Sequence, residues 1–540
     1  LLGGVPDDLD LSVCLRSCPD DVTVCGLLED VPAFASEHRE LGFSEVKLVA
    51  ILSNTAKDKN IDTFKAHFVL AEDGKKIEVD VMPTIGDEVY QEDSRIPVRD
   101  QRGTPMQDAQ RRDLTIGAML MRVGIDTSAG DGKQRLCYEL LDYYGGLEDL
   151  RCRVLRAPNP KNVSVATVRE RVLRTTADIE LASGLGLDSA PEDVVVQVLW
   201  WARVLMDDPL RICRALRFVA KFHFSLHETF WQAAAFAEAA LRTKVAGERK
   251  FAEYVKLGGY GFRACADFFE LAFSRSFGPA GDRRLAPALF GGQDDKGVAK
   301  GLPGIRSFDL EGFRSLAAAL DHTTDPTELL GGLLAAAVYV CELDGGEGTY
   351  AAYIRACGGM CVSNATREAG SAVLQAVASL EAGPSRPNCL ECAFAAACSQ
   401  SDEALSQYLH VWEATRLPHQ GRSDGVASER RRRLALAMLA RVAPSRAAAL
   451  APPLAVLARA RPAVKGAVLC TPGLLEVPAN LRRQVMSLLE VGLRILKYDE
   501  PLENEEQLRR LFDVQPQLRK ALSSTTWFEE DGKTLKEEFR

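Results

Sequence analysis

The sequence has 540 residues, more than one hydrophobic core normally holds, so several domains are expected. Its composition, 46% hydrophobic and 26% charged, is typical of a soluble globular protein. The most apolar run, around Leu329–Val340, is too short to cross a membrane and predicts a buried helix, so no membrane partner is expected. With a net charge of −9, nucleic acid would have to bind a local basic patch.

The 14 cysteines are scattered and lack a secretory disulfide framework, which favours a reducing, intracellular compartment. The cysteines between Cys357 and Cys398 fit no common zinc spacing, so thiols without a metal are favoured there over a zinc site. The first residue is Leu rather than Met, and we expect a chain truncated at its N-terminus. Cytoplasm, nucleus and organelle are therefore not distinguished.

The chain begins with two aspartates on either side of a leucine, in Asp7-Asp8-Leu9-Asp10-Leu11. Because successive side chains of a strand point to opposite faces, Asp8 and Asp10 are predicted to share one face while Leu9 and Leu11 point into a core. Two adjacent carboxylates repel each other unless a cation lies between them. The pair is therefore either a metal site or a solvated acidic turn, and taken alone the turn is favoured.

Residues 1–157 alternate strand-like runs with polar connections, which predicts a small sheet. The predicted strands are Asp8–Val13, Glu45–Leu52, Phe64–Leu70 and Ile77–Met82. In the last of these, Glu78 and Asp80 alternate with apolar residues and share one face. Asp80 is thus a candidate third carboxylate, although a solvated acidic face is the commoner outcome.

Two polar segments follow the predicted sheet. In Arg111-Arg112-Asp113, adjacent arginines precede an acid at a helix start, a pattern that can bind phosphate. A surface ion-pair cluster is the commoner explanation of such a triplet. The segment Asp142–Leu150 is predicted to be a glycine turn flanked by acids.

From about residue 158 the pattern is helical and alanine-rich. Its clearest helix follows Asp207-Asp208-Pro209, where acids cap the N-terminus and proline occupies the first turn. Arg211, Arg214 and Arg217 recur at every third position. This row is either a solvated stripe or an anion-binding ridge.

Further charged residues lie downstream. Glu248, Arg249 and Glu253 predict an ion-pair network on a helix surface. A dense basic belt runs from Arg430 to Lys465. Solvated helix faces and a surface for the phosphate backbone of a nucleic acid explain this belt equally well.

In their order along the chain, these segments resemble the motifs of the class II tRNA nucleotidyltransferases, which are the CCA-adding enzymes, and of the related poly(A) polymerases. The resemblance covers roughly residues 1–265, and residues 52–59 and 92–97 resemble the plant and fungal branch in particular. The corresponding segments are Leu1–Gly4 with Asp8–Leu11 for the first motif, Arg111–Ile116 for the second, Asp142–Leu150 for the neck motif, Asp207–Arg217 for the nucleotide-template motif and Glu248–Glu253 for the last.

The resemblance implies an α+β protein, with a nucleotidyltransferase-type mixed β-sheet head followed by an all-α neck, body and tail. Residues 1–157 are accordingly assigned to the N-terminally truncated catalytic head. Residues 158–268 are assigned to the neck with the template motif, and 162–201 within it form an insertion relative to the family. Residues 269–540 would form a helical body and tail that binds tRNA.

The resemblance also implies the addition of C, C and A to the 3′ end of tRNA from CTP and ATP, without a nucleic-acid template. Asp8 and Asp10 would be catalytic and, with Asp80, would hold two Mg²⁺ ions. The residues expected to bind the sugar and triphosphate are Arg111, Arg112 and Asp113. Those expected to have structural roles in their motifs are Asp142, Gly145, Gly146, Glu248, Arg249 and Glu253.

Asp208 and Arg211 would select the base. A carboxylate accepts the exocyclic amino hydrogens of cytosine or adenine, and a guanidinium donates to the neighbouring ring nitrogen. Guanine and uracil present the opposite polarity and would leave buried groups unpaired. Arg214 and Arg217, one and two turns further on, are expected to contact phosphate.

Two features depart from the family pattern: the upstream part of the first motif is missing, and Gly117 stands where the family usually has Asn. These departures keep a non-catalytic RNA-binding relative as an alternative. A poly(A) polymerase and an enzyme adding only CC or only A also remain, because the motifs do not separate them from a CCA-adding enzyme. The sequence is compatible with a monomer and with a homodimer.

Overall fold

A computed structural model describes residues 9–19, 21–51, 63–86, 102–126, 135–161, 163–293, 299–384, 386–415, 425–457, 464–523 and 536–537. The chain divides into two compact units, one of Leu1–Glu253 with Ser276–Leu289 and one of Tyr254–Arg275 with Phe290–Arg540. The first contains a small mixed sheet and several helices, and the second is almost entirely helical. The predicted α+β class is therefore confirmed.

The longer strands belong to the first unit. The strands are β1 (Leu9–Val13), β2 (Phe43–Ile51), β3 (Thr63–Leu70), β4 (Lys76–Pro83), β5 (Leu120–Asp126), β6 (Arg135–Leu141), β7 (Val154–Leu155), β8 (Ser225–Leu226), β9 (Gly291–Gln293), β10 (Ala299–Gly301), β11 (Ile305–Phe308), β12 (Cys341–Leu343), β13 (Cys470–Thr471) and β14 (Leu475–Glu476).

Helices provide most of the remaining regular structure. In the first unit they are α1 (Val24–Leu28), α2 (Val31–Glu37), α3 (Pro105–Gln110), α4 (Gly146–Cys152), α5 (Val165–Val172), α6 (Thr176–Gly184), α7 (Glu192–Asp207), α8 (Leu210–Phe222), α9 (Thr229–Lys244), most of α10 (Gly247–Gly258), and α12 (Ala286–Leu289), which follows α11 in the chain.

The remaining helices lie in the second unit. They are α11 (Phe262–Ser274), α13 (Leu310–Ala317), α14 (Pro326–Tyr339), α15 (Thr349–Gly359), α16 (Asn364–Ala382), α17 (Cys389–Ala397), α18 (Asp402–Thr415), α19 (Gly425–Val442), α20 (Pro444–Ala449), α21 (Ala451–Leu457), α22 (Arg482–Ile495), α23 (Glu505–Val514) and α24 (Pro516–Ala521).

Four strands form the head sheet, in the order β1-β4-β3-β2. β1 runs parallel to β4, while β3 is antiparallel to both of its neighbours. One face of this sheet is apolar, because Phe64, Ala66, Val79 and Val81 pack there with Val24 of α1 in a common core. The four strands predicted from the alternation of apolar residues are confirmed to within about two residues over the described part of the chain.

The expected burial of Leu9 and Leu11 was wrong. Both lie in register with the buried residues Val79 and Val81, but their side chains are 46% and 48% exposed. β1 is an edge strand of the sheet, whereas α1 packs on β3 and β4. The apolar face of β1 therefore lacks the cover that the inner strands have.

The predicted change to helix after residue 158 is confirmed. α7 is buried along most of its length between Val195 and Leu205 and packs against α5 and α9. The ring of Trp201 on α7 meets that of Phe230 on α9 edge to face, with centroids 5.2 Å apart. α8 follows directly, so packing of the α7 core positions the first turn of α8.

In the second unit, α14 is buried over Leu329–Val338, as its apolar sequence predicts. A Cβ atom added at Gly331 would lie 2.3 Å from the carbonyl oxygen of Thr366, so glycine permits the close packing of α14 on α16. None of the described helices combines the length and the hydropathy needed to cross a membrane.

Candidate nucleotide-binding site

Two aspartates lie side by side on the polar face of the head sheet. Asp10 and Asp80 occupy registered positions of the parallel strands β1 and β4, so their side chains point to the same face. The ammonium of Lys65 on β3 lies 3.1 Å from Oδ1 of Asp80 and also contacts Glu78. Asp8 lies outside the described residues. The register thus brings two of the three predicted carboxylates together, with a cation beside one of them.

In the described part of the chain, no group of three or more His, Cys, Asp or Glu is placed to hold a metal ion, so the described acids of this face do not form a complete site by themselves. No disulfide joins the described cysteines. Burial raises the pKa of Cys357 to about 11 and that of Cys398 to about 12, so both are protonated thiols at neutral pH.

Asp108, a residue that sequence reasoning missed, holds the two arginines of the second motif. It is fully buried on α3 and accepts from Nε of Arg111 at 2.8 Å and from Nη2 of Arg112 at 3.0 Å. The backbone N–H of Ile85 also donates to it, at 3.3 Å. Burial alone would raise the pKa of Asp108, but the two guanidinium groups more than offset this and lower it. The sequence contained a signal for this contact, because Asp108 precedes Arg111 by three residues and Arg112 by four, and such pairs are neighbours on a helix.

Asp113, the third residue of that motif, pairs with α8, the helix that carries the template motif. Its Oδ2 accepts from Nε of Arg214 on α8 at 2.6 Å. Burial would raise the pKa of Asp113, but Arg214 and Arg211 lower it below its usual value. The second motif and the template helix are therefore joined by an ion pair between residues distant in the sequence.

Asp208 lies between α7 and α8. Its Oδ1 accepts from the backbone N–H of Leu210 at 3.2 Å, and its Oδ2 accepts from Nη2 of Arg249 at 3.1 Å. The prediction that the acids cap α8 was wrong, because Pro209 occupies the N-cap position and no side chain caps the helix. Arg211 donates to the carbonyl of Val204 at 3.0 Å. Asp207, expected to cap the same helix, instead ends α7.

Arg217 and Glu253 form a buried ion pair. Nε of Arg217 lies 2.6 Å from Oε2 of Glu253, and each side chain is 7% exposed. The prediction of a surface network was therefore wrong for Glu253, because α10 turns this residue towards α8. Glu248 is exposed, and Arg249 contacts Asp208.

The glycine turn of the neck motif packs against the second motif. Asp142 accepts from the backbone N–H groups of Gly146 and Leu147 at 2.7 and 2.9 Å, and Gly145 has a left-handed φ of 77°. A Cβ atom added at Gly146 would lie 2.4 Å from the carbonyl oxygen of Thr115. Close backbone packing therefore requires glycine at this position.

A side-chain hydrogen bond reinforces this packing. The hydroxyl of Thr115 donates to Oδ2 of Asp149 at 2.6 Å, and Nε of Arg156 lies 2.8 Å from Oδ1 of the same carboxylate. Burial nevertheless raises the pKa of Asp149.

A cleft in the first unit brings residues of two motifs together. Arg111 of the second motif and Arg211 of the template motif both line it. Arg203, whose guanidinium lies 4.8 Å from the ring centre of Trp200, adds a third cation. The full lining consists of Gly86, Gln107, Gln110, Arg111, Trp200, Arg203, Val204, Asp207 and Arg211. Its three guanidinium groups and one carboxylate suit an anionic ligand.

Several predicted site residues do not line this cleft. They are Asp10, Asp80, Arg112, Asp113, Asp208, Arg214 and Arg217. Arg112, Asp113, Arg214 and Arg217 are held in the ion pairs described above. Paired acids and arginines are thus the main feature of this region.

The basic belt of the second unit is not a continuous charged surface. Arg431 and Arg432 are buried, and the guanidinium of Arg432 lies 5.5 Å from the ring centre of Trp412. Arg441 pairs with Asp309. Arg431 and Arg432 therefore belong neither to a solvated helix face nor to a surface that contacts a phosphate backbone, which were the two alternatives for this belt.

Residues 33–156 match the family described as the poly A polymerase head domain. The match lies within residues 1–157, which were predicted to form the catalytic head. The resemblance of its motifs to the class II tRNA nucleotidyltransferases and poly(A) polymerases is thereby confirmed. Residues 52–59 and 92–97, which carried the resemblance to the plant and fungal branch, lie outside the described residues.

A stretch of 227 residues is 26% identical to the mitochondrial CCA tRNA nucleotidyltransferase of Candida glabrata. It comprises 42% of this chain and spans 30% of the length of that relative.

Two solved structures are similar at low identity. A CCA-adding enzyme with ATP is 15% identical, covers 95% of this chain and 86% of its own, and has a TM-score of 0.42. The CCA-adding enzyme of Bacillus stearothermophilus with CTP is 16% identical, covers 91% and 98%, and has a TM-score of 0.32.

Proposed function

We propose that this protein is a CCA-adding tRNA nucleotidyltransferase, which adds C, C and A to tRNA 3′ ends from CTP and ATP. The observation that supports this most directly is the convergence of Arg111 and Arg211 on one cleft. The two arginines come from separate motifs of the resemblance. A nucleotide bound there would contact the second motif through Arg111 and the template motif through Arg211 at the same time.

The triphosphate would be bound by the cleft arginines. Guanidinium groups form bidentate, charge-assisted hydrogen bonds with phosphate oxygens. Asp108 orients Arg111 and Arg112 from beneath, because its carboxylate is fully buried and contacts both. In this proposal Asp113 and Arg214 hold α8 against the nucleotide-binding motif.

Asp208 and Arg211 would select the base. Each oxygen of Asp208 accepts one hydrogen bond, from Leu210 or from Arg249, and a carboxylate has about four acceptor positions. Capacity to accept an exocyclic amino group therefore remains. Arg249 would also fix the orientation of the selecting carboxylate.

The acidic face of the head sheet fits Mg²⁺, which prefers carboxylate oxygens. Asp10 and Asp80 are adjacent in register, and Asp8 would be the remaining ligand. Mg²⁺ bound there would lower the pKa of the tRNA 3′-hydroxyl and neutralise charge on the triphosphate. Lys65, which contacts Asp80, would reduce the negative charge of the face before the nucleotide binds.

The remaining motif residues would position these groups. Arg217 is buried against Glu253, so we propose that it aligns α8 with α10 rather than contacting phosphate. The body and tail would contact tRNA through shape and backbone, without reading base identity.

The composition of the added tail tests the proposal. A tRNA lacking its 3′ CCA would be incubated with CTP alone, ATP alone and both, and the products sequenced. We expect CC with CTP alone and CCA with both, after which addition stops. Addition of only CC or only A whatever nucleotides are supplied would indicate a partial enzyme, and absence of any addition would favour the non-catalytic RNA-binding relative.

A poly(A) polymerase is the second candidate, because the head family includes such enzymes. Continued addition of A beyond the third nucleotide would establish it and contradict CCA addition.

A further inference from the structure

The hairpin β5–β6 has one wholly apolar face. Residues opposite each other in an antiparallel pair lie on the same face. The side chains of this face are paired across the strands as Met121 with Leu140, Val123 with Tyr138 and Ile125 with Leu136. All six are between 41% and 63% exposed. An apolar surface is thus presented to solvent along the length of the hairpin.

The opposite face carries the polar residues of the hairpin. Nη1 of Arg122 lies 2.8 Å from Oε2 of Glu139, and both side chains are exposed. Gly124 faces Cys137 beside this pair, and the two leucines of this face, Leu120 and Leu141, form the registered pair at the base of the hairpin and are partly buried. The hairpin is therefore amphipathic, with a water-compatible side and an apolar side that the described residues leave largely exposed.

Hairpin geometry makes this exposure costly. β5 and β6 form a sheet of their own and do not extend the four-stranded head sheet. A two-stranded sheet is marginally stable in water unless another layer covers its apolar side. Exposed patches of this kind mark interaction surfaces.

We propose that this face is a homodimer interface, on which the same hairpin of a second copy packs face to face. The face carries no charged side chain, so it offers no attraction to nucleic acid, and an identical apolar face is complementary to it. A twofold axis between the hairpins would give each copy the same contacts and close the assembly. Two sheets stacked about 10 Å apart would then share one apolar layer.

The available area is near that of a stable interface. At the observed exposure, six large apolar side chains leave roughly 600 Å² to bury on each copy, against about 800 Å² per partner in an interface of standard size. The flanking parts of the first unit need supply only the remainder.

Sedimentation equilibrium of the full chain over a range of concentrations tests the proposal. We expect a reversible dimer. The double substitution Val123→Thr with Tyr138→Thr keeps strand-forming residues but removes apolar area from the centre of the face, and should weaken the dimer at least tenfold. Val123→Asp should abolish it.

Cys137→Asp provides the matched control, because it adds the same charge to the polar face of the same hairpin and should leave dimerisation intact. Circular dichroism confirms that each variant is folded. If Val123→Asp is unfolded, the threonine variant decides.

Three results would overturn the proposal: a wild-type chain that remains monomeric at every concentration, a dimer unaffected by the threonine variant, or equal loss in Cys137→Asp. A monomer that floats with phospholipid vesicles would instead assign the face to a lipid surface and would also overturn it.

Discussion

Nε of Arg214 lies 2.6 Å from Oδ2 of Asp113, and this ion pair joins α8 to the arginine-rich segment that precedes it by about 100 residues. The pairing takes the carboxylate away from solvent. Asp108 provides the second such carboxylate, held by Arg111 and Arg112. The charged motifs of this protein are thus organised by buried acids as much as by their arginines.

The stability of the first unit should depend on these acids at low pH. The pKa of Asp108 and of Asp113 is lowered from the ordinary 3.8, so the stability they contribute is present above that value and is lost as pH falls through the lower folded pKa. In Asp108→Asn, the unfolding free energy should therefore change less with pH below about pH 4 than in the wild type. Urea unfolding at a series of pH values measures this.

Asp149 supplies a control of opposite sign. Burial raises its pKa, so its folded form binds a proton more readily and stability from this residue grows as pH falls. In Asp149→Asn, the unfolding free energy should therefore fall more steeply with decreasing pH than in the wild type. If it falls less steeply in both Asp108→Asn and Asp149→Asn, the opposite pKa shifts assigned to these two residues are wrong.

Removing one partner of the buried Arg217–Glu253 pair should be strongly destabilising. Glu253→Gln leaves the Arg217 guanidinium buried without its counter-charge and should lower the unfolding free energy by about 3–5 kcal/mol. The exposed pair of Arg509 and Glu505 serves as the comparison. Glu505→Gln should change the unfolding free energy by less than about 1 kcal/mol. Equal effects in chemical denaturation would show that the burial of the first pair does not matter.

Asp10→Ala should abolish nucleotide incorporation with little effect on folding. Because Asp10 is a proposed metal ligand, its substitution should slow incorporation at least about 100-fold. This effect exceeds the one that follows mutation of an outer-shell group of a metal site. Its exposure predicts a stability change within about 0.5 kcal/mol. Glu45→Ala, an exposed acid of the same sheet, is the matched control. Unchanged incorporation in Asp10→Ala would disprove the metal assignment.

Substitution of Asp208 should damage base selection more than tRNA binding. Asp208→Asn replaces one acceptor with a donor but keeps an oxygen that can accept from Leu210, so discrimination against UTP and GTP should fall roughly 10-fold or more while stability is kept. Asp208→Ala should add a loss of about 1 kcal/mol, because the hydrogen bond from Leu210 is missing. The measurements are kcat/KM for each nucleotide and the Kd for tRNA. A matching loss of tRNA affinity in Asp208→Asn would contradict the selecting role.

Strand faces and helix starts could be predicted from the sequence, because each depends on the pattern of only a few neighbouring residues. The alternation along β4 placed Asp80 and Glu78 on one face, and the helix predicted after Asp207-Asp208-Pro209 begins at Leu210. Regular backbone geometry determines such relations within a few residues. The order of the charged motifs was sufficient to indicate the resemblance that the match of residues 33–156 supports.

Relations between distant segments were decided only by the tertiary structure. The pairing of β1 with β4 sets Asp10 beside Asp80, and the packing of α10 on α8 buries Glu253 against Arg217. The exposure of Leu9 and Leu11 depends on the edge position of their strand. Strand order and helix packing result from the burial of apolar faces over the whole unit, and no short-range pattern in the sequence records which faces meet.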